Sequence, residues 1–150
     1  MTESRPALND DDFMKALLNL VIPPSASGDL PGAGALGLEP AVAAGLQADP
    51  LLGPMVEAGA QAVREAALSQ DPKGLPGMAP EDGMNVLEAQ VSSNPFLIMG
   101  MLRYLYPAYY QHPRVLEGIG EAARPPFPGG FDVEPTDPEL LDKLQARRKA

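Results

Sequence analysis

SSNPFLIMGMLRYLYPAYYQHP, Ser92 to Pro113, decides the fold of this chain. Asn94 fits as an N-cap and Pro95 as a first helical residue, where its missing N–H costs nothing. Phe96, Met99, Leu102 and Tyr106, together with Leu97, Met101 and Leu105, then leave almost no polar face. Only Arg103 interrupts before Tyr106. A helix apolar all round is a buried one, so the pattern predicts a central, mostly buried helix. Pro107 is expected to kink or end it. His112 reads as the cap of a short helix starting at Pro113, with Val115, Leu116 and Ile119 apolar.

Working outward, the same grammar repeats. NDDDFMKALLNLVIPP opens with Asn9 or Asp10 as an N-cap and an acidic first turn that favours the positive end of the helix dipole. Phe13, Leu17, Leu20 and Val21 share one face, and Pro23–Pro24 stop the helix. Three adjacent aspartates, Asp10 to Asp12, point in different directions on a helix, so they cap rather than gather a cation. A short helix is expected from near Pro40 to Leu46. Another runs from Leu51 or Pro54 to Ser69, where Gly59 and many alanines predict close packing on a neighbour. Pro80 with Glu81 and Asp82 starts a further helix reaching Val91. Asp137, Pro138 and Glu139 start a final one, with Leu140, Leu141 and Leu144 on its apolar side. Val, Ile and Thr are too sparse for a sheet. The class is all-α: a small irregular helical domain with long Pro/Gly-rich connectors, consistent with 15 glycines and 18 prolines in 150 residues.

The segment EAARPPFPGGFDVEPTDP, Glu121 to Pro138, is too apolar for a solvated linker and too proline-rich for a helix or a central strand. It is expected to be an extended ribbon, polyproline-like around Pro125–Pro126 and turning at Gly129–Gly130. The chain accordingly divides into a helical core, 1–123, and an extended partner-binding tail with a terminal helix, 124–150.

Bulk chemistry excludes several functions. A net charge of −9 argues against nucleic acid, which needs a surplus of basic residues on one face. With no cysteine, there are no disulfides, thiolate nucleophiles or Cys-ligated metals. No apolar run is long enough to span a bilayer. The start, MTESRPALNDDD, lacks a basic region followed by an apolar one, so a cytoplasmic place is expected, or a periplasmic one if an exported partner carries the chain or if the chain is a trimmed form. GAGALG (32–37) lacks the GxGxxG spacing and a Walker lysine, and reads as a glycine-rich turn. The single histidine, His112, has no second ligand to share a metal and no GxSxG serine to activate. The tyrosines, Tyr104, Tyr106, Tyr109 and Tyr110, read as a core edge whose hydroxyls reach water or a partner. Two readings stay open: a non-catalytic binding subunit, or a stand-alone helical enzyme or ligand-binding protein that uses the Tyr104–His112 region.

The order of these features resembles the gluconate 2-dehydrogenase subunit 3 family, small accessory subunits of flavin-dependent dehydrogenases of the glucose–methanol–choline type. LVIPP after the first helix, LPGAGALGLEPAV in the next loop, and YYQHPRVLEGIGEAARPPFPGGFDVEPTDPELL toward the C-terminus carry the likeness. Ile22–Pro23, Pro31–Gly32–Ala33 and Leu38–Ala43 answer to the first part of the family pattern. Tyr109, Tyr110, Gly118, Pro126 and Pro128 answer to the second. Members that accompany exported dehydrogenases often carry a twin-arginine signal, whereas Arg5 here stands alone.

The resemblance implies an all-helical subunit, non-catalytic and without a cofactor of its own, that binds, stabilises or helps fold a larger subunit holding FAD and acting on a sugar or polyol. The partner surface it implies comprises Tyr109, Tyr110, His112, Pro125, Pro126, Phe127, Pro128 and Phe131. Phe127 and Phe131 are the expected anchors, and the prolines lower the entropy lost when the ribbon docks.

Overall fold

Where glycines stand in two neighbouring helices, the backbones come close, and that contact organises this chain. The computed structural model describes residues 5–123, 137–139 and 146–147. Among them there are six α-helices and no strand: α1 Asp11–Val21, α2 Glu39–Gln47, α3 Leu52–Gln70, α4 Pro80–Val91, α5 Phe96–Tyr110 and α6 Pro113–Gly118. Three single 3-10 turns, Ala7–Asn9, Ala33–Ala35 and Leu75–Gly77, punctuate the connectors.

The most extensive helix pairing is α3 on α5. A methyl group on Gly100 of α5 would run into Val56 Cγ2, and one on Gly59 of α3 would lie 3.0 Å from Leu97 Cβ. Val56 and Leu97 are fully buried. Above this contact α2 crosses α5, and Gly45 leaves room for the ring of Tyr104. α1 closes the core from the far side with Phe13, Met14, Leu17 and Leu18, all buried. Each such side chain contributes about 2 kcal/mol by leaving water.

The helix ends follow local chemistry. Asp10 accepts the Phe13 N–H at 3.2 Å and caps α1, while Asp11 and Asp12 fill its first turn. α4 opens with Pro80 as its first residue. His112 caps α6, its Nδ1 accepting the Arg114 N–H at 3.3 Å. Gly120, at φ 82°, turns the chain out of α6 in the left-handed region that suits glycine. Asp137 accepts the Glu139 N–H at 3.0 Å, as expected of a cap.

α3 also holds the N-terminal turn. Ala7 and Leu8 donate their N–H groups to the two carboxylate oxygens of Glu57 at 2.6 and 3.1 Å. Arg64 donates to the Arg5 carbonyl at 2.7 Å and lies 3.7 Å from Asp10. The capping aspartate of α1 is thereby tied to the middle of α3.

Three expectations about the central helix need correction. α5 is less buried than expected: Leu97, Gly100, Met101, Leu105 and Tyr109 are buried, but Phe96, Met99, Tyr106 and Tyr110 face outward. A helix apolar on every face still packs on only as many sides as it has neighbours, and here α2, α3 and α4 lie to one side. Pro107 does not end α5, which continues to Tyr110. The one N–H that proline lacks is outweighed by anchoring of the last turn through buried Tyr109. Asn94 does not cap α5 either: its side chain donates to the Gln90 carbonyl at 3.0 Å and closes α4 instead.

The Pro125–Phe131 ribbon lies outside the described residues, and so does the boundary between core and tail at 123/124.

The close contact makes a test. Gly100→Ala gains about 1 kcal/mol of helix propensity but forces a methyl into stiff, buried Val56, at about 1–3 kcal/mol. Thermal denaturation followed by circular dichroism is expected to show a lower Tm than wild type. A raised Tm would mean that α3 and α5 do not approach this closely.

Candidate interaction surface

The tyrosine cluster divides by what each hydroxyl meets. Tyr109 is 1% exposed and donates its hydroxyl to the Pro31 carbonyl at 2.8 Å. This bond ties the end of α5 to the loop between α1 and α2. Burial pushes the Tyr109 pKa up, with the neighbouring Tyr110 adding to the effect, so the hydroxyl stays a neutral donor. Tyr109 is therefore a core residue. Tyr110 stands outside it, its ring edge-on to both Tyr106 and Tyr109 at centroid distances of 5.9 and 5.2 Å. His112 is half-buried beside it.

Tyr104 donates its hydroxyl to Asp49 Oδ2 at 2.7 Å. The other oxygen of Asp49 accepts the Leu51 and Leu52 N–H groups at 2.9 and 2.8 Å, which starts α3. The Leu52 amide and then the Tyr104 hydroxyl hold this carboxyl below its usual range, partly opposed by burial, with Leu51 and the Arg103 charge adding smaller pulls. Both hydroxyls expected to reach water or a partner thus serve the fold, and one residue, Asp49, joins α2, α3 and α5.

What remains outward on α5 is a row: Phe96, Met99, Arg103, Tyr106 and Tyr110, all exposed. Met99 reaches 72% exposure, and the others are near one half where apolar. Two exposed residues of the α3 start extend the apolar area, Leu51 at 67% and Met55. A depression of about 230 Å³ between Met55, Ala58 and Phe96 lies at the N-terminal end of the row. Single exposed apolar residues are ordinary, whereas several along one helix face make a candidate interaction surface. The residues were visible in the sequence. Their outward placement was not, because the periodicity of α5 is apolar in every direction.

No group of three or more His, Asp or Glu among the described residues is arranged to hold a metal ion. His112 spends Nδ1 on its cap. A groove of about 560 Å³ runs between α1, the Leu75–Gly77 turn and α4, with walls of Leu20, Pro23, Pro24, Pro76 and Met84. None of residues 104–112 lines it, so it does not answer to the ligand site expected in that region. Glu39, at the first position of α2, is 3% exposed, and neither carboxylate oxygen has a hydrogen-bond partner among the described residues. Such a group costs about 1–3 kcal/mol of stability. No described helix is long and apolar enough to cross a membrane. No family model, curated protein or solved structure matches this chain.

The Asp49 junction gives a pH dependence. A carboxyl whose folded pKa is lowered stabilises the fold above its unfolded pKa, about 4, and loses that contribution as pH falls through the folded value. The Tm gap between wild type and Asp49→Asn is expected to be steady from neutral pH down to about pH 4 and to shrink below it. A gap that widens on acidification would contradict the hydrogen-bond assignment.

Proposed function

We propose that this chain is a non-catalytic subunit that binds and stabilises a larger protein, and that its partner is a flavin-dependent sugar or polyol oxidoreductase subunit. The observation that carries the binding role is the outward row of α5, an apolar face that a monomer gains nothing by exposing. Methionine and tyrosine dominate it, and both adapt to a partner surface at low cost. The flavin partner is supported by the family-like order of Ile22–Pro23, Pro31–Gly32–Ala33 and Tyr109–Tyr110. Two of those elements have structural work here, since the Tyr109 hydroxyl donates to the Pro31 carbonyl.

On this reading Tyr110 and His112 border the interface, and the ribbon with Phe127 and Phe131 adds to it on the strength of its composition. FAD belongs to the partner, not to this chain. On this reading both proteins work in the cytoplasm, or in the periplasm if an exported partner carries the chain or the chain is a trimmed form.

A mild pull-down from the native source, with an absorbance spectrum of the eluate, tests this. The chain is expected to bring down a larger subunit with the two-banded spectrum of oxidised flavin, and Met99→Asp is expected to lose it. A lone 15.8 kDa species would overturn the binding role. A partner without flavin would overturn the oxidoreductase assignment.

A further inference from the structure

The outer row of α5 carries a period and a charge that together define what fits on it. Phe96, Met99, Arg103, Tyr106 and Tyr110 follow one another at steps of three, four, three and four residues. That is the spacing with which one α-helix meets another along a seam. The row spans about 21 Å, or four helical turns. At its end, the depression between Met55, Ala58 and Phe96 has room for one anchoring side chain.

Arg103 sits at the midpoint. Its side chain has no hydrogen-bond or ion-pair partner among the described residues. Asp49 is near enough to feel its charge, but both Asp49 oxygens are already committed to Leu51, Leu52 and Tyr104. Covering the row would strip water from an unpaired guanidinium, which is costly unless the cover brings an acceptor. A carboxylate meets that need with two parallel hydrogen bonds.

The same charge rules on a second copy of this chain. Whether two α5 helices paired parallel in register or antiparallel about a two-fold axis, the midpoint of one row would meet the midpoint of the other. Arg103 would face Arg103, and two chains of net charge −9 would add their own repulsion. Sliding the register to separate the arginines would break the apolar contacts.

We propose that the partner covers α5 with a single amphipathic α-helix that lays apolar residues on Phe96, Met99, Tyr106 and Tyr110 and a Glu or Asp carboxylate on Arg103. This deepens the partner-binding reading above and rests on it.

Two labelled three-heptad helical peptides test the match on the full chain. Both carry leucine at the a and d positions, except that the central a position holds glutamate in one and lysine in the other. Anisotropy titrations are expected to show the glutamate peptide binding at least about tenfold more tightly. Arg103→Glu is expected to reverse that preference with the helical dichroism unchanged, and Met99→Asp to weaken both peptides. Equal binding, no binding by either peptide, or a preference that survives Arg103→Glu would overturn the proposal. So would sedimentation of wild type as a dimer that Met99→Asp disperses.

The native pull-down separates this proposal from the reading beneath it. If Arg103→Glu still retains the flavoprotein, the carboxylate match fails and the accessory role stands. If the glutamate preference holds but no flavoprotein is captured, the flavin assignment fails and the surface stands.

Discussion

The close approach of α3 and α5 is the contact on which the rest of the structure depends. Gly59 and Gly100 let Leu97 and Val56 into spaces that a methyl group would fill. Once these are seated, the rotation of α5 about its axis is fixed. Leu97, Met101, Leu105 and Tyr109 must point inward, and Tyr104 must lean over Gly45 toward Asp49. The α1–α2 loop is then pinned from the other end by the Tyr109 hydroxyl on Pro31. α1 is tied independently to α3 through Asp10 and Arg64.

That rotation has a consequence on the outside. With one row committed to the core, the opposite row has no described helix over it, and it is nearly as apolar as the buried one. Exposing such a row invites association, which the net charge of −9 opposes between copies of the chain. The functional reading therefore starts from the same packing that makes the fold: a helix apolar on two sides and, among the described residues, covered on one. Arg103 at the middle of the uncovered row turns a generic apolar surface into one with a preference.

Much of the fold was legible in the sequence because caps and stops act locally. Asp10, Pro23–Pro24, Pro80 and His112 do their work within one helical turn, and Gly59 announced a close neighbour without naming it. The placement of α5 was not legible, for a physical reason. Periodicity separates an inner face from an outer one only when the two differ in polarity, and Phe96, Met99 and Tyr106 do not differ from Leu97, Met101 and Leu105. Nor could spacing show that Tyr109 would find Pro31, 78 residues away, or that Asn94 would turn back to Gln90. Pro107 read as a kink or a stop, and the sequence could not choose between them because the anchoring that carries α5 past it comes from elsewhere in the chain. The buried Glu39 gave no sequence signal, since a glutamate in a first helical turn is ordinarily solvated.

Four methionines report on the central claim directly. Met99 and Met55 lie on the outward surface, whereas Met14 and Met101 are fully buried. Mild peroxide oxidation followed by peptide mass spectrometry, on the isolated chain and on the complex captured from its source, reads all four at once. The account predicts fast oxidation of Met99 and Met55 and slow oxidation of Met14 and Met101 in the isolated chain, with Met99 protected in the complex. If Met101 reacts as fast as Met99, α5 is not seated as described. If Met99 is as reactive in the complex as alone, the outer row of α5 is not where the partner binds.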